Sequence, residues 1–260
     1  MATPTGDDRE KGDGTTFTWH DYAMKVYDTV VKRHRNAKMF ILVNDCYNEE
    51  ILNIKDGEHA NRASKFIGGV SQNIFPASSK PFITAKEFQS FFRNKGNKKR
   101  LQIFLRQEFA ERARHESFEM LYCIQNESYD ISKTPWAERT EFANSHIEAD
   151  TAVFFVLHKL RQLGCTIPVV IDSEDTDVVA LSAYAGLKDI GDLAIRRKKG
   201  IFDCKKLCNP EMAEIVVRLH VMTGCDSVSS FFGIGKKTVW KILFLLRRLE
   251  SYLQISVMRH

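Results

Sequence analysis

The stretch HIEADTAVFFVLHKLRQLGCTIPVVIDSEDTDVVALS, residues 146–182, decides the fold class. Its apolar residues recur with helical spacing over 149–163 and 177–185, and a continuous apolar run over 166–171 between them predicts a buried strand. MFILVND at 39–45 and FEMLYCI at 118–124 predict two more strands. Strands that alternate with helices predict an α/β fold with a mostly parallel central sheet and helices on both faces.

The remaining patterns extend this architecture. Helices are predicted at 19–35, 58–66, 84–92, 98–115, 210–222 and 236–250, and a short β segment near 193–202. Thr84, followed three residues later by Glu87, is typical of a capping box at a helix start. Residues 1–16, rich in Gly, Thr and Asp, are expected to form a disordered tail, so the folded domain is predicted to span 17–250.

Composition restricts the class of protein. A chain of 260 residues with 43% hydrophobic and 27% charged residues can bury a sizeable core. It has neither a signal-peptide pattern nor a run of about 18 apolar residues, which predicts no secretion and no membrane insertion. Six cysteines without a CxxC pair suggest reduced thiols. We therefore expect an intracellular monomer. The runs RRKK and KKR suggest nuclear localisation, with solvated basic faces as the alternative.

Positive charge is concentrated in one segment. Residues 80–114 hold ten basic and three acidic side chains, a net charge of +7, whereas the whole chain carries +5 and the remainder therefore −2. This concentration predicts contacts with a polyanion. The candidate phosphate-binding residues are Arg93, Lys95, Lys98, Lys99 and Arg100. Four phenylalanines in the segment could stack on bases, although their helical spacing favours packing in the core: Phe88, Phe91, Phe92 and Phe104.

Acidic residues follow two of the predicted strands. Asp45 ends MFILVND, and Asp175 and Asp177 follow TIPVVID. Ligands of open parallel sheets bind beyond the carboxyl ends of the strands, so these acids lie where a site is expected. Glu148 and Asp150 precede or open the helix at 149–163. For that pair alone, ordinary helix capping is the simpler explanation.

Repulsion determines how such acids can lie together. Two carboxylates about 5 Å apart at an effective dielectric near 20 repel by roughly 3 kcal/mol, and a larger group would cost far more than a domain tolerates. A divalent cation removes this cost. Oxygen ligands without His or Cys favour Mg²⁺ or Mn²⁺ over zinc. If the acids instead face solvent separately, they are only loop and capping residues.

A third motif lies near the carboxyl end, GCDSVSSFFGIGKKTVWKIL at 224–243. It contains Asp226, the glycines Gly233 and Gly235, and the cations Lys236 and Lys237. Two glycines allow a tight turn before a helix whose first amides can hold a phosphate. Taken alone, the motif is more often a plain turn before a helix.

In combination, these motifs resemble the flap endonuclease and XPG-type 5′ nucleases of the PIN-like superfamily. The similarity rests on EAD at 148–150, SEDTD at 173–177, GCDSVSSFFGIGKKT at 224–238 and, upstream, VNDCYNEEILNIKDGEHANRAS at 43–64. The resemblance implies that six acids hold two Mg²⁺ or Mn²⁺ ions: Asp45, Glu148, Asp150, Asp175, Asp177 and Asp226. It also implies that Lys55 and Arg62, which lie two helical turns apart, contact the scissile phosphate.

The resemblance assigns roles to two further regions. Residues 66–117 take the place of the helical arch that embraces single-stranded flaps, and residues 224–250 that of a helix-two-turn-helix that grips duplex DNA. The implied activity is metal-dependent, structure-selective hydrolysis of nucleic acid, DNA more than RNA. The alternative is a catalytically inactive PIN-like module that binds nucleic acid or a protein. The family's first strand has no counterpart in residues 1–23, which predicts exposed edges on the neighbouring strands.

Overall fold

The computed structural model describes residues 16–47, 73–124, 126–187, 191–207 and 215–220, together with Thr238 and Lys241. The chain divides into two compact units, Met1–Lys159 and Leu160–His260. It is an α/β protein, as the sequence predicts. Within the described ranges, no helix combines the length and the apolar content that crossing a membrane requires.

The first unit contains most of the predicted elements. In chain order they are α1 (Trp19–Arg33), β1 (Met39–Asn44), α2 (Ala85–Phe91), α3 (Lys95–Ala113), β2 (Glu119–Ile124), β3 (Glu127–Asp130), β4 (Ala137–Glu138) and the start of α4 (Ala149–Gln162). The helices predicted at 19–35, 84–92 and 98–115 are confirmed, with small changes in their bounds. The predicted helix at 58–66 lies outside the described residues.

Side-chain caps define where the helices of this unit begin. Thr84 and Glu87 form the capping box predicted from the sequence, and Thr18 and Asp21 form a second one before α1. Asn94 accepts a hydrogen bond from the backbone N–H of Asn97 and starts α3 at Lys95, three residues before the predicted start. A polar cap therefore extends α3 into a segment whose apolar pattern is weak.

The sheet of this unit has the order β1-β2-β3-β4. The pair β1 and β2 is parallel, and the other two pairs are antiparallel. A parallel pair needs a long crossover, which the chain between Asn44 and Glu119 provides, whereas β2 and β3 are separated by two residues and can pair only as a hairpin. The strand β1, which leads to Asp45, lies at the edge of the described sheet.

Aromatic side chains form the core of the first unit. Trp19 is 1% exposed, and its ring contacts those of Phe82, Phe91 and Phe104 at centroid distances of 4.7, 5.6 and 6.2 Å. The chain entering α1 is also hydrogen-bonded to the strand-like segment near Phe82, since the Phe82 N–H donates to the carbonyl of Phe17. Packed rings and backbone bonds together fix α1, α2 and α3 against each other.

The second unit contains the end of α4, β5 (Val169–Asp172), α5 (Thr176–Leu187), β6 (Leu193–Arg197) and β7 (Gly200–Asp203). β5 and β6 pair in parallel and β6 and β7 antiparallel, with β5 at the edge. The short β segment predicted near 193–202 is thus a hairpin. Of the helices predicted at 210–222 and 236–250, the structure describes 215–220, Thr238 and Lys241, all helical.

The sheet organisation differs from the prediction. The described strands form two mixed sheets, with two parallel and three antiparallel pairs, instead of one mostly parallel central sheet. Short turns cause part of the difference, because the two residues between β2 and β3 and between β6 and β7 force antiparallel pairing.

Candidate metal centre and basic surface

Asp45 lies directly after β1 and joins three parts of the first unit. Its Oδ1 accepts a hydrogen bond of 2.8 Å from the backbone N–H of Ala149, at the first turn of α4, and its Oδ2 accepts one of 2.8 Å from the Tyr47 hydroxyl. The Gln102 side chain on α3 donates to the backbone carbonyl of Asp45 at 3.0 Å. Asp45 therefore serves as a cap for α4 from a distant part of the chain.

The groups around Asp45 respond to its charge. Burial, followed by the charge of Asp45 and the hydrogen bond to it, raises the pKa of the Tyr47 hydroxyl. Tyr47 thus remains protonated and keeps donating its hydrogen bond. Burial lowers the pKa of the Lys98 ammonium, and Asp45 opposes this shift. The ammonium also lies over the Tyr47 ring, 5.0 Å from its centroid.

Glu148 and Asp150 stand at the start of α4. The carbonyl of Glu148 accepts from the Ala152 N–H, and Asp150 lies in the first turn, where a negative charge interacts favourably with the helix dipole. Ordinary helix capping was the simpler explanation for this pair from sequence, and the structure adds that the Ala149 N–H is bonded to the carboxylate of Asp45. Asp150 is half-buried.

Asp175 and Asp177 lie where β5 leads into α5. The backbone N–H of Asp177 donates to Oδ1 of Asp175 at 2.8 Å, so Asp175 caps α5. Nε2 of His220 lies 2.7 Å from Oδ1 of Asp177. A carboxylate only accepts hydrogen bonds, so this contact requires a proton on Nε2. The imidazole then orients the carboxylate, the arrangement that outer partners of metal ligands adopt.

Two of the predicted ligands come together in the second unit. One carboxylate oxygen of Asp175 lies within 4.8 Å of one of Asp177. Two oxygens bound to one Mg²⁺ at 2.0–2.1 Å are at most about 4.2 Å apart, so small side-chain rotations bring these atoms to bonding distance. Such hard oxygen donors could hold a metal ion. The other described acids of the predicted set, Asp45, Glu148 and Asp150, belong to the first unit.

Seven predicted site residues lie outside the described parts of the chain: Lys55, Arg62, Asp226, Gly233, Gly235, Lys236 and Lys237. Of the predicted ligand set, the structure therefore describes five acids and brings Asp175 and Asp177 together.

The basic surface comprises the predicted phosphate-binding residues at the start of α3. We use this name for residues 93–100, which contain five cations and no acid. Arg93 and Lys99 are exposed, and Lys95, Lys98 and Arg100 are half-buried. The absence of acidic residues from the first turn of α3 preserves the positive end of its dipole.

The phenylalanines of the basic segment are core residues. Phe88, Phe91 and Phe104 are 6%, 0% and 6% exposed, which confirms the packing alternative for these three. Phe92 is partly buried and contacts the rings of Phe88 and Phe91 at 4.8 and 5.3 Å. Phe88, Phe91 and Phe104 therefore belong to the core, and Phe92 packs against it.

Three residues that contact the acids were not predicted from the sequence as site residues. Tyr47 and Gln102 bind Asp45, and His220 binds Asp177 across 43 residues of chain. Tyr47 lies two residues from Asp45, and this proximity was the one usable hint. Neither Gln102 nor His220 belongs to a motif, and only folding brings them to the acids.

The cap formed by Asp45 leads to a prediction on stability. Asp45→Ala is expected to lower the free energy of unfolding by about 1–2 kcal/mol, because the Ala149 N–H and the Tyr47 hydroxyl both lose their acceptor. Asp45→Asn keeps an acceptor oxygen and should lose less than about 0.5 kcal/mol. Urea unfolding without metal measures both variants. Equal losses for the two variants would contradict the capping role.

Comparison of the chain with protein-family models, with curated proteins and with solved structures gives no match.

Proposed function

We propose that the protein is a metal-dependent, structure-selective nuclease that hydrolyses phosphodiester bonds, in DNA more than in RNA. The observation that carries this proposal is the pair formed by Asp175 and Asp177, which each offer one carboxylate oxygen within 4.8 Å of the other. The order of the acidic motifs in the sequence, which resembles that of the XPG-type 5′ nucleases, supports the same activity.

The two carboxylates provide ligands for a divalent cation. Two negative charges this close repel each other, and a bound cation offsets the repulsion. Bound Mg²⁺ or Mn²⁺ would supply an activated water and stabilise the leaving oxygen of a phosphodiester. Asp45, Glu148, Asp150 and Asp226 belong to the proposed ligand set that would hold a pair of ions.

Each described ligand is also held in place by the fold. Asp175 is fixed by its cap bond to the Asp177 N–H, and Asp177 by His220. Asp150 is part of the rigid first turn of α4, which Asp45 caps. Preorganised ligands need little reorganisation when a cation binds, which favours a defined metal geometry.

In this proposal, Lys and Arg side chains bind the phosphate backbone of the substrate. The basic surface contacts phosphates along the substrate, and Lys55 and Arg62 contact the scissile phosphate, where negative charge develops in the transition state. The charge separation in the chain agrees with these roles, because the basic residues of 93–100 lie apart in sequence from the acidic motifs. Binding should weaken steeply as salt is added.

Incubation with an end-labelled 5′-flap DNA tests the proposal. Wild-type protein is expected to cleave the substrate with Mn²⁺ or Mg²⁺ and to be inactive with EDTA. Substrate preference is measured with three further substrates: the same flap made of RNA, a blunt duplex and a single strand. Absence of cleavage on every substrate with either cation, while the protein binds the DNA, would reject the nuclease proposal.

One observation favours the second candidate, an inactive module that binds nucleic acid. Both carboxylate oxygens of Asp45 already accept hydrogen bonds, from Ala149 and Tyr47, as expected of a structural cap. In this case, salt-dependent binding would occur without turnover. Replacing the Lys and Arg residues between 93 and 114 with Gln would abolish that binding, whereas cleavage of the flap substrate by the wild type would exclude this candidate.

A further inference from the structure

The aromatic side chain of Phe75 lies outside the hydrophobic core. It is 60% exposed, more than any other exposed large hydrophobic residue in the described part of the chain. The guanidinium of Arg100 lies over its ring, with Cζ 4.3 Å from the centroid. At this distance the planar cation covers one face of the ring, and the high exposure leaves the rest of the ring accessible to solvent.

The segment that carries Phe75 is fixed to the start of α3. The backbone N–H of Ile74 donates to the side-chain oxygen of Asn97 at 2.8 Å, and Asn97 is fully buried. Oδ1 of Asn73 accepts hydrogen bonds from Asn94 and from Arg100, each at 3.3 Å. Arg100 donates in addition to Asn97 at 3.1 Å. These hydrogen bonds fix the chain next to Phe75 and the guanidinium that lies over its ring.

The surroundings of Phe75 restrict what its open surface can bind. Arg100 belongs to the basic surface, which holds five cations and no acid within eight residues. An apolar peptide would gain contact with one ring and would offer no negative group to the cations beside it. A nucleotide combines a flat apolar base with a negative phosphate, so it matches both features at once.

We propose that Phe75, supported by the guanidinium of Arg100, is a stacking surface for an unpaired base of a single-stranded nucleic acid. The cations of the basic surface contact the phosphates that flank this base. The inference rests on the proposed function for its ligand class and adds to it a single-stranded part of the substrate. Since a base can stack only after it leaves a duplex, the surface selects unpaired strands over paired ones.

Binding of labelled single strands without divalent cations tests this inference. Fluorescence anisotropy at low ionic strength in EDTA measures the Kd of a short oligothymidylate and of an oligouridylate of the same length. Phe75→Ala is expected to raise the Kd by about ten-fold, because stacking of one base on an aromatic ring is lost. Phe75→Trp keeps a stacking ring and should restore the wild-type affinity.

Two controls separate stacking from general effects. Ile103→Ala removes another exposed apolar side chain, which is 39% exposed and lies on α3, and should leave the Kd unchanged. An abasic strand of equal length and charge should bind the wild type about ten-fold more weakly than oligothymidylate does. The Kd of this abasic strand should be the same for the wild type and for Phe75→Ala. The Kd values of oligothymidylate and oligouridylate together give the preference between DNA and RNA.

The outcomes also distinguish this inference from the proposed function. A Kd of Phe75→Ala within about two-fold of the wild type, or equal affinity of the wild type for abasic and base-containing strands, would overturn the stacking surface, even if the flap substrate is cleaved. Phe75-dependent binding without cleavage would support the stacking surface and reject the nuclease. If wild-type protein binds neither strand, the stacking surface is overturned.

Discussion

The double variant Asp175→Asn, Asp177→Asn is expected to cleave the 5′-flap substrate at least about 100-fold more slowly than the wild type in Mn²⁺, a loss of about 2.7 kcal/mol in transition-state stabilisation. Both substitutions keep side-chain size but remove the two charges whose oxygens lie within 4.8 Å of each other. Asparagine at 175 retains the acceptor for the Asp177 N–H, so α5 keeps its cap. Initial rates from gel-resolved cleavage provide the measurement.

Thermal melting of the same variant should show the opposite effect on stability. In EDTA it is expected to be more stable than the wild type by about 1 kcal/mol, since repulsion between partly exposed carboxylates is relieved. Mn²⁺ should raise the Tm of the wild type and leave that of the variant nearly unchanged, because only the wild type gains binding free energy. This combination distinguishes loss of metal binding from misfolding.

An exposed acid outside the carboxylate group serves as the matched control. The Asp192 side chain is 76% exposed and lies in the same unit, with Lys205 at 4.0 Å. Asp192→Asn removes one charge but should leave both the cleavage rate and the Mn²⁺ response as in the wild type. Cleavage by the double variant at the wild-type rate would exclude Asp175 and Asp177 from hydrolysis.

Trp19→Ala is expected to destabilise the protein by about 3–5 kcal/mol. The indole is 1% exposed and contacts Phe82, Phe91 and Phe104, so its removal leaves a cavity where α1, α2 and α3 meet. Such a loss is a large fraction of the about 5–15 kcal/mol that holds a typical domain folded. Urea unfolding followed by circular dichroism measures it.

Milder changes keep this prediction testable if the alanine variant does not fold. Trp19→Phe retains an aromatic ring and should lose about 1–2 kcal/mol. Phe75→Ala removes an exposed ring from the same unit and should change the free energy of unfolding by less than about 0.5 kcal/mol. Losses of similar size for Trp19→Ala and Phe75→Ala would contradict the aromatic core.

Helices and strands followed from local patterns. The apolar run at 39–45 and the capping box of Thr84 and Glu87 predicted β1 and the start of α2, and both are confirmed. Helical caps join residues three apart, and apolar periodicity repeats within each element. Such signals are contained in short stretches of chain, so they can be recognised before any tertiary contact is known.

The strand pairing was only partly predictable. Apolar β1 and β2 have the composition of parallel strands, and they pair in parallel. β3 and β4 contain polar residues, Glu127–Asp130 and Ala137–Glu138, and lack the alternation that marks a strand. Their pairing follows from the short turn after β2 and from hydrogen bonds to its edge, so the division into two mixed sheets was not evident.

The sequence by itself determined that acids follow the strands and open the helices, and that cations collect in one segment. Tertiary structure alone decided that Asp45 caps α4 through Ala149, 104 residues away, that His220 orients Asp177, and that Phe75 rests on Arg100 in place of the buried phenylalanines. Residue type and local spacing determine helices, strands and charge, because those interactions act over a few residues. Contacts between distant segments depend on how the elements pack, and no local pattern encodes them.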